Sequence, residues 1–484
     1  MSLSATLANA LSGLTATSRR AEVVSSNVSN ALTEGYARRE LNLSAQSLGG
    51  TGAGVRIDGV TRSVNTALLT DRRLADAAAG NSQNRTAFLT RIEELIGTPD
   101  DAGSLSARLA ELDAALVQAS SRPDSQARLQ TVIDSANRLT AHLNTLSDGI
   151  QQERMDADAA IARQVATLNE SLAGIDRLNA EILTQRASGR DATALMDQRQ
   201  RLVDRVAEIV PVREVARDHD QISLFTTGGA ILLEGNPATI GFAPVGVITA
   251  DMTLASGALS GLTINGMPVP SGDDGVLGGG TLGAMLAIRD DLAPKAQAQI
   301  DAFARDLIAR FEDPAVDATL APGQAGLFTD AGQPLDPLLE EGLAGRIELN
   351  ALVDPAQGGA LWRLRDGLGA AAAGNVGNAT LLDALRGALI APRVPASGTF
   401  IGAQRTAHGL AADVLSSVAS DRQGAETRQS YAVARQEALT ELFLADGVDT
   451  DAEMQELLLV EQAFAANARV VQTVDDLIQQ LIGL

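Results

Sequence analysis

The sequence contains no cysteine among its 484 residues. A disulfide framework, a thiolate nucleophile and a cysteine-ligated metal are therefore excluded. Histidine occurs only three times, at His142, His219 and His408, and aromatic residues make up 2% of the chain. Enzyme pockets and tight recognition sites draw heavily on aromatic and histidine side chains. We therefore predict no catalytic residue, no metal and no cofactor.

Basic residues are also scarce, with 38 Lys and Arg against 60 Asp and Glu and a formal net charge of −22. Such a charge disfavours nucleic acid, whose phosphates are met by basic stripes, and anionic membrane surfaces. No apolar run reaches the ~18 residues of a membrane span. The first twenty residues lack a basic start and a continuous apolar stretch, so we expect no cleaved signal peptide.

One amphipathic helix is predicted for the first 32 residues. Small or apolar residues recur there with alternating spacings of four and three, which is the spacing of a heptad seam. The seam positions are Leu3, Leu7, Ala10, Leu14, Thr17, Ala21, Val24, Val28 and Ala31. The helical pattern ends near Glu34 and Gly35.

The last 28 residues show the same spacing. The seam positions there are Leu457, Val460, Phe464, Asn467, Val471, Val474, Ile478 and Leu481. Asn467 is the polar exception, and a lone polar seam residue often fixes register. Each stripe alone is also compatible with an ordinary core-facing helix. Because the two stripes occupy both ends of the chain, we favour pairing of the terminal helices with each other.

The interior alternates between helical and irregular stretches. Residues 85–210 are predicted to form a bundle of long helices, and helices return at 281–312 and 403–445. Residues 211–280 are rich in Gly, Pro, Thr and Val with short alternating runs, which indicates β-hairpins. Residues 313–400 show no clear period.

The predicted fold class is mainly α with a β-rich insertion. It comprises paired N- and C-terminal coiled-coil helices, a long helical bundle domain and a smaller β-containing outer domain. The terminal core is assigned residues 1–45 with 446–484, and the bundle 46–210 with 281–312 and 403–445. The outer domain is assigned 211–280, with parts of 313–402 left open as an addition to it.

Residues 278–283, GGGTLG, match the G-x-G-x-x-G dinucleotide motif and lead into a predicted helix. That motif needs a preceding strand within a βαβ unit. Only two apolar residues precede it here, after Asp273, Asp274 and Gly275. A nucleotide-binding enzyme using Gly278–Gly283 is therefore kept only as an alternative of a different class.

Two segments resemble the signatures of bacterial flagellar axial proteins, the family of rod, hook and hook-associated proteins. The first is SNVSNALTEGYARR at 26–39, which follows ALSGL at 10–14. The second is AFAANARVVQTVDD at 463–476, which follows GVD at 447–449. The segment GGTLGAMLAIRD at 279–290 and the long helical block are similar to the hook-associated proteins of the hook–filament junction.

The resemblance implies a structural subunit that forms the junction between hook and filament and is needed for filament assembly. It implies an extracellular location in the flagellum after type III export without a cleaved signal peptide. The implied partners are copies of the chain in a ring, the hook protein, the second junction protein, the export apparatus and a dedicated chaperone. Another axial component, namely a second junction, hook or rod protein, is the alternative within the family.

The residues expected to act in subunit packing are the apolar seam positions and the turn after the first helix. They are Leu3, Leu7, Leu14, Val24, Asn27, Val28, Asn30, Gly35, Tyr36, Arg38, Leu457, Val460, Phe464, Asn467, Val471, Val474, Ile478 and Leu481. For Asn27 and Asn30 the competing interpretation is hydrogen bonding at a helix end within one subunit.

Overall fold

The computed structural model describes residues 3–48 and 51–483, and the protein is 60% helical with a few small sheets. The predicted fold class is therefore confirmed. All strand pairings among the described residues are antiparallel.

The two terminal helices, α1 (Leu3–Asn30) and α11 (Thr450–Ile482), pack against each other as predicted. Strands β1 (Arg39–Leu48) and β2 (Thr51–Arg62) follow α1 and form a long hairpin that also packs on it. The sequence interpretation missed this hairpin, which crosses the proposed boundary between residues 45 and 46.

Four long helices follow the hairpin, and side-chain caps mark the starts of the first three. They are α2 (Thr66–Ile96), α3 (Leu105–Ser121), α4 (Gln126–Ala187) and α5 (Thr193–Ile209). Asn65, Ser104 and Ser125 accept hydrogen bonds from backbone N–H groups in the first turns of α2, α3 and α4. These caps satisfy donors that a helix start otherwise leaves open.

The β-rich segment lies where the sequence predicts it. One sheet contains β3 (Val212–Ala216), β4 (Ile222–Thr226), β5 (Ile231–Glu234) and β6 (Asn236–Pro237). A second contains β7 (Ile240–Gly241), β8 (Thr263–Ile264) and β9 (Met267–Pro268). Their buried side chains, such as Leu224 and Ile240, share a core with the second half of α4 and with α5.

The chain then returns to the bundle. Helix α6 (Gly280–Ala287) continues through a π-helical turn into α7 (Ala293–Phe311). After residues 313–406, α10 (Ala407–Ala445) runs antiparallel to α2, because Arg422 pairs with Glu93 and Gln436 bonds Asp76.

Residues 313–402 contribute side chains to the core of the bundle, and Gly342 also approaches Ala250 of the outer segment. They contain β10 (Phe328–Asp330), β11 (Ile347–Leu349), α8 (Arg363–Asp366) and α9 (Thr380–Ile390). Phe328, Ile347, Leu364 and Leu385 are buried in the same core as α3, α7 and the first half of α4. The apolar side chains of this segment are thus covered by the helical core, and the assignment of parts of 313–402 to the outer domain stays an untested prediction.

Candidate assembly core at the chain termini

Helices α1 and α11 form an antiparallel pair, since Asn27 meets Glu453 near one end and Gly13 meets Asn467 near the middle. Along α1, Leu3, Leu7, Leu14 and Val28 are half-buried and Val24 is buried. Along α11, Val460 and Val474 are buried, and Leu457, Val471 and Ile478 are half-buried. The structure thus brings most of the predicted seam residues together within one chain.

Two predicted seam residues are not covered by this pairing. Phe464 is 47% exposed, while the neighbouring Ala463 is half-buried. Leu481 is 61% exposed, because the antiparallel register places it beyond the described start of α1 at Leu3. The apolar stripe of α11 is therefore wider and longer than the surface that α1 offers.

The polar exception in the seam, Asn467, lies against a glycine of the opposite helix. A Cβ atom built on Gly13 would come within 2.8 Å of the Asn467 Oδ1 atom. The Asn467 amide also donates to the Ala463 carbonyl at 3.0 Å. Gly13 therefore allows the close approach at which Asn467 fits, which sets the register of the two helices.

Asn27 is the centre of a buried polar network and is 1% exposed. Its Nδ2 atom donates to the Arg39 carbonyl at 2.9 Å and to Glu453 Oε2 at 3.1 Å. Its Oδ1 atom accepts from the Arg39 backbone N–H at 2.9 Å and from the Tyr36 hydroxyl at 2.8 Å. One side chain thus fixes the turn after α1 and joins it to α11.

Glu453, on the first turn of α11, is the acidic partner in this network and is 1% exposed. Arg38 donates through Nε to Glu453 Oε1 at 2.7 Å, and this hydrogen bond raises the pKa of the Arg38 guanidinium. A buried carboxylate is stable only when it is paired and hydrogen-bonded. Glu453 meets that condition only while both ends of the chain are in place.

A second ion cluster connects the turn to the bundle. Asp197 of α5 accepts from Arg39 Nη2 at 3.1 Å and pairs with Arg62 Nε at 2.8 Å. The Arg39 guanidinium also lies 4.9 Å from the centre of the Tyr36 ring. Burial raises the pKa of Asp197 and of Tyr36. The cluster ties the terminal core to α5.

Asn30 and Gly35 have local roles within the described chain. The Asn30 side chain donates to the Ser26 carbonyl at 2.9 Å, one turn back in its own helix. Gly35 lies in the following turn with φ of 74°. The helix-end interpretation thus fits Asn30, whereas Asn27 reaches across to α11.

Sequence reasoning missed Glu453, Asp197 and Arg39. With 60 acidic residues in the chain, no compositional signal separates these two carboxylates from the others. They become distinctive only through burial and through partners more than 150 positions away.

The Gly278–Gly283 segment does not have the surroundings of a dinucleotide site. No parallel strand occurs in the described chain, and a Cβ on Gly280 would meet the Ile209 carbonyl oxygen at 2.3 Å. The glycines therefore permit close packing of α6 against the end of α5. A cleft of about 580 Å³ borders Gly279 and Gly280, and it is also lined by Arg428 and by the ion pair of Arg85 with Asp273.

Residues 3–48 and 51–483 contain neither a membrane-spanning helix nor a metal-binding cluster. None of the helices there combines the length and apolarity that a membrane span requires. No group of three or more His, Asp or Glu side chains is arranged there to hold a metal ion.

Three family models match the chain in order. The flagella basal body rod protein model matches residues 7–36, and the model of the flagellar basal body rod FlgEFG protein C-terminal matches residues 445–484. Between them, the model of the flagellar hook-associated protein FlgK helical domain matches residues 89–327. The two terminal matches cover most of α1 and all of α11 in the described chain.

Curated relatives carry the corresponding name. Flagellar hook-associated protein 1 of Salmonella typhimurium is 26% identical over 59% of this chain and 52% of its own length. The chain thus aligns with about half the length of that relative. Flagellar hook-associated protein 1 of Bacillus subtilis is 21% identical over 99% of this chain and 97% of its own length.

A solved structure of the flagellar hook junction protein FlgK from Burkholderia pseudomallei matches with a TM-score of 0.44 and 20% identity, over 54% of this chain and 47% of that one. The ordered family matches and the curated relatives agree with the terminal pairing and the helical block. Over residues 89–327 the chain is thus similar to the FlgK helical domain of flagellar hook-associated proteins, and both of its ends match models of flagellar basal body rod proteins.

Proposed function

We propose that the chain is a structural subunit of the bacterial flagellum, located extracellularly at the junction between hook and filament and needed for filament assembly. The observation that carries this proposal is the terminal core. The first and last helices are joined through the buried Asn27–Glu453 contact, yet α11 keeps a wide apolar surface uncovered.

The uncovered surface of α11 is the proposed subunit contact. Leu459, Val470 and Leu477 lie on the same side of the helix and are 61%, 40% and 43% exposed. An apolar face of this length is stable in water only when another surface covers it. Neighbouring copies in a ring would cover it, each presenting the same helix pair.

The subunit-packing role of the predicted site residues is part of the proposal. Apolar seam residues form the pair, and Asn27, Tyr36 and Arg38 hold the turn that sets its direction. The function is mechanical, and the proposal assigns the protein no catalytic role, cofactor or membrane-inserted segment. The proposed partners are further copies, the hook protein, the second junction protein, the export apparatus and a dedicated chaperone, after export without a cleaved signal peptide.

Gene deletion in the source cell tests the function. Hooks without filaments, together with flagellin released into the medium, are the expected result. Loss of hooks as well would assign the chain to the rod or hook, and normal motile flagella would overturn the proposal.

Complementation of the deletion tests the surface. Val470→Asp places a charge on the uncovered side of α11, at a position that is 40% exposed, so we expect no filaments although the monomer keeps its helix content. Gln472→Asp, at an exposed position two residues away, is the matched control and should restore filaments. Restoration by Val470→Asp would exclude this side of α11 as a contact.

A further inference from the structure

A cleft of about 240 Å³ lies beside the terminal core, between the start of α2, helix α5 and strands β3 and β4. Four of its lining residues are arginines, namely Arg62, Arg73, Arg199 and Arg217. Two acidic residues, Glu214 and Asp220, also line it. This excess of basic groups is unusual in a chain with a net charge of −22.

Arg73 has an unused donor in this cleft although its side chain is only 3% exposed. Its Nε pairs with Asp204 at 2.6 Å and its Nη1 pairs with Glu214 at 2.7 Å. Its Nη2 is buried and has no hydrogen-bond partner among the described residues. A ligand oxygen at this position would give this buried donor the hydrogen-bond partner that it lacks.

Arg199 is 5% exposed and makes no ion pair with any carboxylate of the described chain. Its Nη1 donates to neutral acceptors, the Asn179 Oδ1 atom at 2.8 Å and the Asp220 carbonyl at 2.6 Å. Burial lowers the pKa of Arg199 to about 10, although the charges of Glu214 and Asp220 act in the opposite direction. A buried guanidinium of this kind is stabilised by an anion.

The two carboxylates in the cleft are already neutralised. Glu214 pairs with Arg73, and Asp220 pairs with Arg186 at 2.6 Å. Arg217 is 46% exposed and lies 3.7 Å from Glu234, which is a weak surface contact. The charges of Arg199 and Arg217 are therefore left largely uncompensated.

The backbone adds to the positive potential. Thr66, the first residue of α2, lines the cleft. The side chain of the capping residue Asn65 accepts a hydrogen bond from the Leu68 N–H. The start of a 31-residue helix carries a partial positive charge that favours anions.

We propose that this cleft is a binding site for a small tetrahedral oxyanion of the phosphate class, held by Arg73, Arg199 and Arg217 at the start of α2. The ligand would bridge the helices α2 and α5 and the segment directly after strand β3, where Arg217 lies. The site is independent of the proposed function, because it uses no residue of the α1–α11 seam.

Titration of the full-length monomer with inorganic phosphate by isothermal calorimetry tests the site. Sodium chloride keeps the ionic strength constant, so that general screening is not mistaken for binding. We expect saturable binding with one phosphate per chain and a rise in the melting temperature. No saturable heat and no rise in melting temperature would overturn the proposal.

Matched variants separate the cleft from general charge effects. Arg217→Ala removes a half-exposed lining charge, and we expect phosphate affinity to fall about tenfold. Arg213→Ala makes the same charge change at an exposed position of β3 outside the cleft and should leave the affinity unchanged. Equal losses in both variants would overturn the assignment to this cleft.

A variant that should increase phosphate affinity distinguishes loss of the site from misfolding. Glu214→Gln removes a negative charge from the cleft, so we expect tighter phosphate binding although the Arg73 pair is weakened. A general loss of structure would weaken binding instead. Weaker binding by Glu214→Gln, with circular dichroism unchanged, would contradict the proposed geometry.

Discussion

Helices α4 and α11 show two different ways of stabilising a long helix. Helix α4 extends over 62 residues and buries side chains at nearly every turn, because α3, α5 and α7 pack around it. Helix α11 extends over 33 residues and buries only Glu453, Val460 and Val474. The first is held by apolar packing on several sides, and the second by one partner helix and one polar network.

This difference separates a region that packs on several sides within the chain from a helix pair that leaves much of its apolar surface uncovered. Isolated helices gain most of their stability from packing of an apolar face. The bundle provides that packing itself, whereas the terminal pair leaves much of α11 uncovered. The following variants test whether the two regions respond independently, in order of decreasing effect.

Phe303→Ala should have the largest effect. Phe303 is fully buried in the bundle core, so the variant should lose about 3–5 kcal/mol of unfolding free energy. Urea unfolding followed by the fluorescence of Trp362, the single tryptophan, measures the loss. Leu442→Ala, at an exposed position of α10, is the control and should change little. A loss below about 1 kcal/mol would contradict the apolar account of the bundle.

Asp301→Asn should change how the stability of the bundle depends on pH. The Asp301 carboxylate accepts from the Gly342 and Ala344 backbone N–H groups, each at 2.8 Å, yet burial raises its pKa to about 6. An unfolded Asp titrates near 3.9. As the pH falls, the folded protein therefore takes up a proton on Asp301 at a higher pH than the unfolded chain does.

The direction of the pH dependence follows from the folded pKa of Asp301 lying above the unfolded one. The contribution of Asp301 to the unfolding free energy should decrease by up to about 3 kcal/mol as the pH rises from 4 to 7. Across this pH range the urea midpoint of the native protein should therefore decline relative to that of Asp301→Asn. For Asp291→Asn, at an exposed position, the urea midpoint should change with pH in parallel with that of the native protein. A parallel curve for Asp301→Asn would rule out this titration.

Glu453→Gln should destabilise the terminal pair alone. The substitution removes the charge that holds Arg38 and places an amide opposite the Asn27 amide, at a cost of about 1.5–3 kcal/mol. Hydrogen exchange should become about tenfold or more faster in α1 and in the first half of α11. Unfolding of the bundle, reported by Trp362, should stay the same.

Glu456→Gln is the matched control for that experiment. Glu456 pairs with Arg20 at a more exposed position, with 26% of its side chain accessible, so its loss should cost less than about 1 kcal/mol. If Glu453→Gln also lowered the stability of the bundle, the two regions would be coupled more tightly than the comparison allows.

Gly13→Ala should have the smallest effect on the stability of the terminal helix pair. Whether it stabilises or destabilises the pair depends on Asn467. In the native background the added Cβ meets Asn467 at 2.8 Å and forces the helices apart. In an Asn467→Ala background the clash is gone, and the substitution should gain up to about 1 kcal/mol because Ala is the better helix former. Hydrogen exchange of α11 in this double-mutant cycle measures the coupling. Equal effects in both backgrounds would show that Gly13 and Asn467 do not set the register.

The long helices could be predicted because their periodicity is local. Seam spacing located α1 and α11, and turn residues such as Pro99 and Pro123 located breaks in the bundle. The hairpin of β1 and β2 was missed although Leu41 and Leu43, and also Val55 and Ile57, alternate with polar residues as in a strand. Ser12 of α1 accepts from the Val55 N–H at 3.1 Å, so a helix distant in sequence stabilises the hairpin.

The residues of the candidate site also divide into those that the sequence could identify and those that it could not. Asn27, Tyr36 and Arg38 could be singled out by their resemblance to a known signature, and the structure places them in one network. Glu453 and Asp197 could not, because a carboxylate becomes distinctive only when burial removes water and leaves Arg38, Arg39 and Arg62 as its partners.

The sequence by itself determined the helical class, the paired ends and the place of the β-rich segment, because apolar spacing and turn residues act over a few positions. Only the tertiary structure decided the antiparallel register set by Gly13 and Asn467, the incorporation of residues 313–402 into the bundle core, and the pairing of buried charges. These features depend on which surfaces exclude water together, and that is a property of the folded chain.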